Sequence, residues 1–176
     1  LKKTQTDPVG LMRQVAPFAP SVGSDQLGWT GLHAVRFQAK APVEINAPAL
    51  AQHALVLILR PPEKLDLRYE GVKRDTPPPP GSILLVPAHY AVEWLWSGNK
   101  DSLHIFLEPG LVEKVANESF LLDPPRTGIL PLDGVSVPEL RSAMLAVNAE
   151  LSAGGVGGRS WLNLWPISCL FIWSDT

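Results

Sequence analysis

The sequence predicts a mainly β protein, a barrel or double-sheet sandwich with helices appended at its C-terminal end. Three observations predict it. Short apolar runs with two-residue alternation recur between residues 29 and 107, and that is strand period. Proline (18) and glycine (14) punctuate these runs, which favours many short strands over long helices. Helical spacing begins only at Pro109, so strands and helices do not alternate as they would in an α/β fold.

The landmark is the stretch Pro77-Pro78-Pro79-Pro80-Gly81-Ser82-Ile83-Leu84-Leu85-Val86-Pro87-Ala88. Prolines stop any helix or central strand, Gly81 supplies a turn, and Pro87 ends the apolar strand because it cannot donate to a ladder. This is a sharp corner. Strands before it are expected on one side of the barrel, and strands after it on the other.

In chain order, residues 1–26 read as an arm or linker. Leu11, Met12 and Val15 could make one helical turn, but Pro8, Pro17 and Pro20 interrupt it. Trp29 to Lys40 alternates and forms the first long strand, ended by Pro42. A loop through Asn46 and Pro48 follows. Ala54 to Leu59 is apolar on both faces and suits a fully buried strand. Leu65, Leu67 and Tyr69 alternate with Asp66, Arg68 and Glu70, a strand with one wet face. Glu70-Gly71 turns into a short strand at Val72–Arg74. Beyond the corner, Tyr90, Val92, Trp94 and Trp96 share one face. Ser97-Gly98-Asn99-Lys100 reads as a hairpin turn, with Leu103–Leu107 returning.

The helical part opens at Pro109, with Leu111, Val112 and Val115 as a short stripe. A linker with a possible strand at Ile129–Leu130 leads to Ser136-Val137-Pro138-Glu139, which reads as a capping box. Leu140, Met144, Val147 and Leu151 then repeat at helical spacing, and Gly154-Gly155 end that helix.

Composition narrows the function. An apolar fraction of 45% over 176 residues is that of a folded domain. A net charge of −2 argues against this chain gripping a nucleic-acid backbone by itself. The single Cys169 excludes an internal disulfide and leads to the expectation of a cytoplasmic protein. No stretch before residue 160 is a membrane span, and no signal-peptide pattern opens the chain. The first residue is Leu1, not Met, so the true start is expected upstream.

Gly28-Trp29-Thr30-Gly31-Leu32, the buried strand at 54–59, the PGSILLVPA corner, WLWSG at 94–98, SLHIFLEPGLVEKVA at 102–116 and the helix at 138–158 come in an order that resembles one family. It is the N-terminal cupin-like sensing domain of AraC-type transcription regulators. The resemblance spans about residues 28–159. It implies a jelly-roll barrel that binds an effector or mediates dimerisation, with DNA read by a C-terminal pair of helix-turn-helix units. No basic helical segment follows residue 159, so that half is expected to be missing here.

The expected organisation is an arm at 1–26, a cupin-like barrel at 27–108, a helical appendage with a possible dimerisation region at 109–159, and an atypical tail at 160–176. The tail from Trp161 holds three of the six tryptophans and no Lys, Arg or Glu. One permitted codon choice, read from the last base of the Ser160 codon, encodes LAESLANQLSVHLVRH. That amphipathic helix resembles the family's linker helix. The tail is therefore expected to be an out-of-frame translation, the plainer reading being a hydrophobic segment packed on the barrel.

Cupin enzymes hold a metal with two His one residue apart, a Glu and a distant His. Here His53 has Leu55 two residues on, Glu63 follows Pro61-Pro62, and His104 is far along the chain. No metal and no cofactor is expected. His33, His53 and His104 are candidate ligand-orienting groups in the barrel, with satisfied core histidines as the plainer reading. Trp94 and Trp96 are candidates for an aromatic wall, or else core. His89 is expected in an exposed turn, and Cys169 has no base to activate it. Leu140, Met144, Val147 and Leu151 either cover the barrel or pair with a second subunit, and the resemblance favours dimerisation.

The expectation is a non-enzymatic effector-sensing, dimerising half of a regulator. Its partners would be a small-molecule effector, a second copy, and DNA only through the missing half, with no membrane. The rivals are a metal-dependent cupin enzyme (a dioxygenase or isomerase) and a stand-alone small-molecule binder.

Overall fold

The computed structural model describes residues 7–40, 42–120, 129 and 131–155. The suspect tail with Cys169, the first six residues and Leu130 of the expected 129–130 strand lie outside the described residues. In chain order the elements are α1 (Pro8–Val15), β1 (Val22–Gly23), β2 (Leu32–Ala39), β3 (Val43–Ala47), β4 (His53–Arg60), β5 (Lys64–Tyr69) and β6 (Val72–Arg74). Then come β7 (Ile83–Val86), β8 (Val92–Ser97), β9 (Lys100–Leu107), α2 (Pro109–Phe120), β10 (Leu132–Val135) and α3 (Pro138–Ser152).

The strands make two antiparallel sheets. One runs β1-β2-β9-β4-β7-β10 and the other β3-β8-β5-β6. The fold is a cupin-like jelly-roll barrel with helices appended. Alternate residues of both sheets face inward and make the barrel core, which includes Val35, Phe37, Ile45, Val56, Leu67, Leu84, Trp94 and Phe106. The outer face of the six-stranded sheet carries a second core under α3, with Leu55, Leu57, Ile83, Leu103 and Ile105. Two cores explain the unbroken apolar runs. β4 and β7 are buried on both faces, so no position in their middle can be polar. β5 and β8 have one wet face and alternate cleanly; on β8 Glu93 and Leu95 point to solvent.

Several local expectations need correction. Pro8 starts a helix instead of breaking one. Asp7 is the N-cap, its carboxylate accepting from Val9 N and Gly10 N at 3.0 Å, and proline fits the first helical turn because its missing N–H is not needed there. Residues 43–47 are a strand, not a loop. Val43, Ile45 and Ala47 face inward on β3, an edge strand that Pro42 can precede without breaking a ladder. The capping box does not form. Val137 is the N-cap of α3 with no side-chain hydrogen bond, and Pro138 sits at its start.

The turn after β8 is not a hairpin. β8 pairs with β3 and β5, whereas β9 pairs with β2 and β4. Gly98, with φ +79°, carries the chain from one sheet to the other. The corner at 77–88 crosses in the same way, from β6 to β7, so each sheet holds strands from before and after it.

Gly81 at that corner has φ +84°, and a Cβ there would meet the Arg141 guanidinium at 3.0 Å. An L-residue pays conformational strain in this region, while the arginine end can move aside. Gly81→Ala is therefore expected to cost about 1–2 kcal/mol of stability. Urea unfolding measures it, and an unchanged midpoint would contradict the assignment.

The helix α3 ends as the glycines require. Gly155 N donates to Glu150 O at 3.0 Å, with Gly154 and Gly155 both at positive φ. Leu140, Met144, Val147 and Leu151 are at most 4% exposed, packed against the outer face of the six-stranded sheet. Of the two roles expected for these four, covering the barrel is the one they fill within this chain, where the sheet lies against them. No helix among the described residues is long and apolar enough to cross a membrane.

Candidate ligand site

The site is built on β9. Its residues Lys100, Ser102, His104 and Phe106 share the inward face, and Leu103, Ile105 and Leu107 face α3. Asp101 points outward and fixes this register. Arg36 Nε and Nη2 on the neighbouring β2 donate to its two oxygens at 2.9 and 2.6 Å, and Gln38 Nε2 donates at 3.0 Å. With Asp101 held outside, Lys100 must turn in.

Inside, the Lys100 ammonium lies over two indole faces, 4.4 Å from the Trp94 ring centre and 4.2 Å from that of Trp96. Lys100 is 5% exposed, and among the described residues it makes no ion pair. Burial pulls its pKa down to about 7. Ser102 Oγ and His104 Nε2 are hydrogen-bonded at 3.1 Å, the donor being set by the imidazole tautomer. Burial, and then the Lys100 charge, hold His104 well below its ordinary value. So both basic groups are biased toward their neutral forms. Trp96 Nε1–H is buried with no acceptor among the described residues.

An aromatic cluster closes this chamber. Phe18, just past α1, meets Phe37 and Trp96 edge-on at 5.7 and 6.1 Å, and Phe37 meets His104 edge-on at 5.2 Å. Met12 of α1 projects from the same end. The free space is small. One cavity of about 20 Å³ lies beside Lys100, and another of about 30 Å³ runs toward Gln52 and Tyr90. Each has room for about one water molecule. Met12, Trp94 and His104 line both, so they form the partition between them.

Trp94, Trp96 and His104 are thus brought together, and His33 and His53 are not. His33 is half-buried at the start of β2, opposite Phe106 in register, and lines neither cavity. His53 has the parity of Leu55 and Leu57 and so faces out of the barrel. Its Nδ1 accepts from Ala88 N at 3.0 Å, pinning the strand after the corner to β4. Burial, and then the nearby His89, lower its pKa. His89 itself is exposed in a turn at φ +70°.

The interior does not fit the metal that enzymes of this fold class carry. Among the described residues no three of His, Cys, Asp or Glu gather to ligate one, and His104 has an ammonium for its charged neighbour.

Lys100 and Ser102 escaped the sequence reading. A lysine after Ser-Gly-Asn reads as the solvated end of a turn. The available signal was the alternation of Lys100, Ser102 and His104 with Leu103 and Ile105, extended two residues upstream.

No protein-family model and no curated protein matches the sequence. Solved structures do. One is a cupin superfamily protein from Desulfitobacterium hafniense, at 22% identity and TM-score 0.39, covering 45% of this chain and 69% of that one. Another is Streptomyces albus HEPD with its substrate 2-hydroxyethylphosphonate and Fe(II) bound, at 16% identity and TM-score 0.37, covering 44% and 18%. A third is Fe(II)-HppE with an alternative substrate, at 9% identity and TM-score 0.36, covering 44% and 43%. The expectation that the chain is not an enzyme is corrected on this finding, since structures with substrates bound are among those it is similar to. That similarity transfers neither their reactions nor their iron to this chain.

Proposed function

We propose that this chain is the effector-sensing domain of an AraC-type transcription regulator, and that its ligand enters the barrel at the chamber lined by Trp94, Trp96, Lys100 and His104. One observation carries the reading: an apolar, aromatic interior in which a few polar side chains converge, with Met12 of α1 between its two cavities. A ligand larger than a water molecule must displace Met12, a flexible side chain suited to such movement. Occupancy then biases the position of α1, which is how a bound molecule would shift a population of conformers. Dimerisation and DNA reading belong to the regulator as a whole. Catalysis on the bound molecule is compatible with the same chamber.

A thermal-shift screen of sugars, small aromatics and small acids tests the reading. At least one class is expected to raise the melting temperature, and Trp94→Ala to abolish that response while the protein still unfolds cooperatively. A wild-type protein indifferent to every class would count against an interior site. Hits are assayed for turnover. Sequencing the gene beyond codon 160 tests the regulator part: a helix-turn-helix pair in another frame supports it, and its absence from all frames opposes it.

A further inference from the structure

We infer that the chamber beside Lys100 receives the carboxylate of a small apolar acid, an inference that rests on the interior ligand site proposed above and names its chemistry. Lys100 Nζ is a buried donor with two ring faces beneath it and, among the described residues, no ion-pair partner. Aromatic faces replace only part of the hydration an ammonium loses. Trp96, in the same wall, has an N–H with no acceptor among the described residues. A lysine with no ion pair and an indole N–H with no acceptor, both among the described residues, call for a ligand that brings acceptor oxygens, and an anion satisfies the charge as well as the hydrogen bonds.

The rest of the wall defines the ligand's other end. Met12, Phe18, Phe37 and Ile45 offer no hydrogen bonds. A sugar would leave most of its hydroxyls unpaired there, whereas an alkyl or phenyl body would not. Among the described residues, the titratable groups lining the chamber are Lys100 and His104, on the one strand β9, and α1, β2, β3 and β8 contribute none. A carboxylate arriving beside Lys100 favours its charged form, so binding draws a proton from solvent above neutral pH.

The test uses the full chain and three matched pairs: butyrate and butanol, hexanoate and hexanol, phenylacetate and 2-phenylethanol. Calorimetry at pH 8 in two buffers of different ionisation heat gives affinity and proton uptake together. At least one acid is expected to bind tenfold or more tighter than its alcohol and to take up a substantial fraction of a proton. Lys100→Met, whose folding is checked by cooperative unfolding, should lose that preference and that uptake, with acid no longer bound more tightly than alcohol. Equal binding of acid and alcohol, or a preference that survives in Lys100→Met, would overturn the inference and leave an interior site standing. No heat and no thermal shift from any of the six, together with an unresponsive sugar and aromatic screen, would overturn both. A parallel reaction with butanal and cyanoborohydride that modifies Lys100 ahead of the other lysines, without acid preference, would assign the amine to carbonyl capture instead.

Discussion

Lys100→Met is expected to yield a more stable protein, by about 2–4 kcal/mol at pH 7. Lys100 has a folded pKa near 7 against an ordinary value of 10.5. Between those values the unfolded chain binds the extra proton and the folded chain does not, so stability rises with pH across that window. Below about pH 7 both states are protonated and the full penalty applies. The gap is worth roughly 4–5 kcal/mol, of which the two indole faces return about 2. Methionine fills similar volume without a charge. Wild-type stability, measured by urea unfolding at pH 6 to 10, is thus expected to climb from about pH 7, and the variant to lack this climb. A variant that is less stable at pH 7, with the same slope as wild type, would mean that Lys100 has a counter-charge inside the barrel.

That a lysine should hold this place shows where sequence reading succeeds and where it stops. Period and burial were legible wherever one face or both faces met a core. Leu65, Leu67 and Tyr69 alternate because β5 has one wet face, and Ala54 to Leu59 does not alternate because α3 covers the far side of β4. Strand pairing was less legible. Ser97-Gly98-Asn99-Lys100 has hairpin chemistry, yet local turn residues say nothing about which sheet the next strand joins. β3 was hidden by the prolines at 42 and 48, which an edge strand tolerates and a central one does not.

The site was half legible for the same reason. Trp94, Trp96 and His104 follow from parity on β8 and β9. Parity also separates His53 from them, since it shares a face with Leu55 and Leu57. Lys100 has that parity as well, but the prior against a buried, unpaired lysine outweighs parity at a strand end. What reverses the prior is a long-range pair, Arg36 with Asp101, 65 residues apart in sequence. It holds the next residue outside and leaves Lys100 no exposed direction.

Met144→Ala is expected to cost about 2–5 kcal/mol without changing the protein's oligomeric state. Met144 is fully buried and Leu140 is 1% exposed, both in the core between α3 and the six-stranded sheet. Removing the side chain forfeits its transfer energy and leaves a cavity under a helix that has no other apolar stripe to offer. A helix buries one stripe against one surface. Since the sheet holds this one, a subunit contact through α3 would have to use another face, where Leu145 is 39% exposed. Leu145→Ala is accordingly expected to change stability by less than about 0.5 kcal/mol. Urea unfolding and sedimentation velocity on both variants separate the two roles. If Met144→Ala left the unfolding midpoint in place and halved the sedimenting mass, the stripe would be a subunit contact, and α3 would have to leave the sheet to make it.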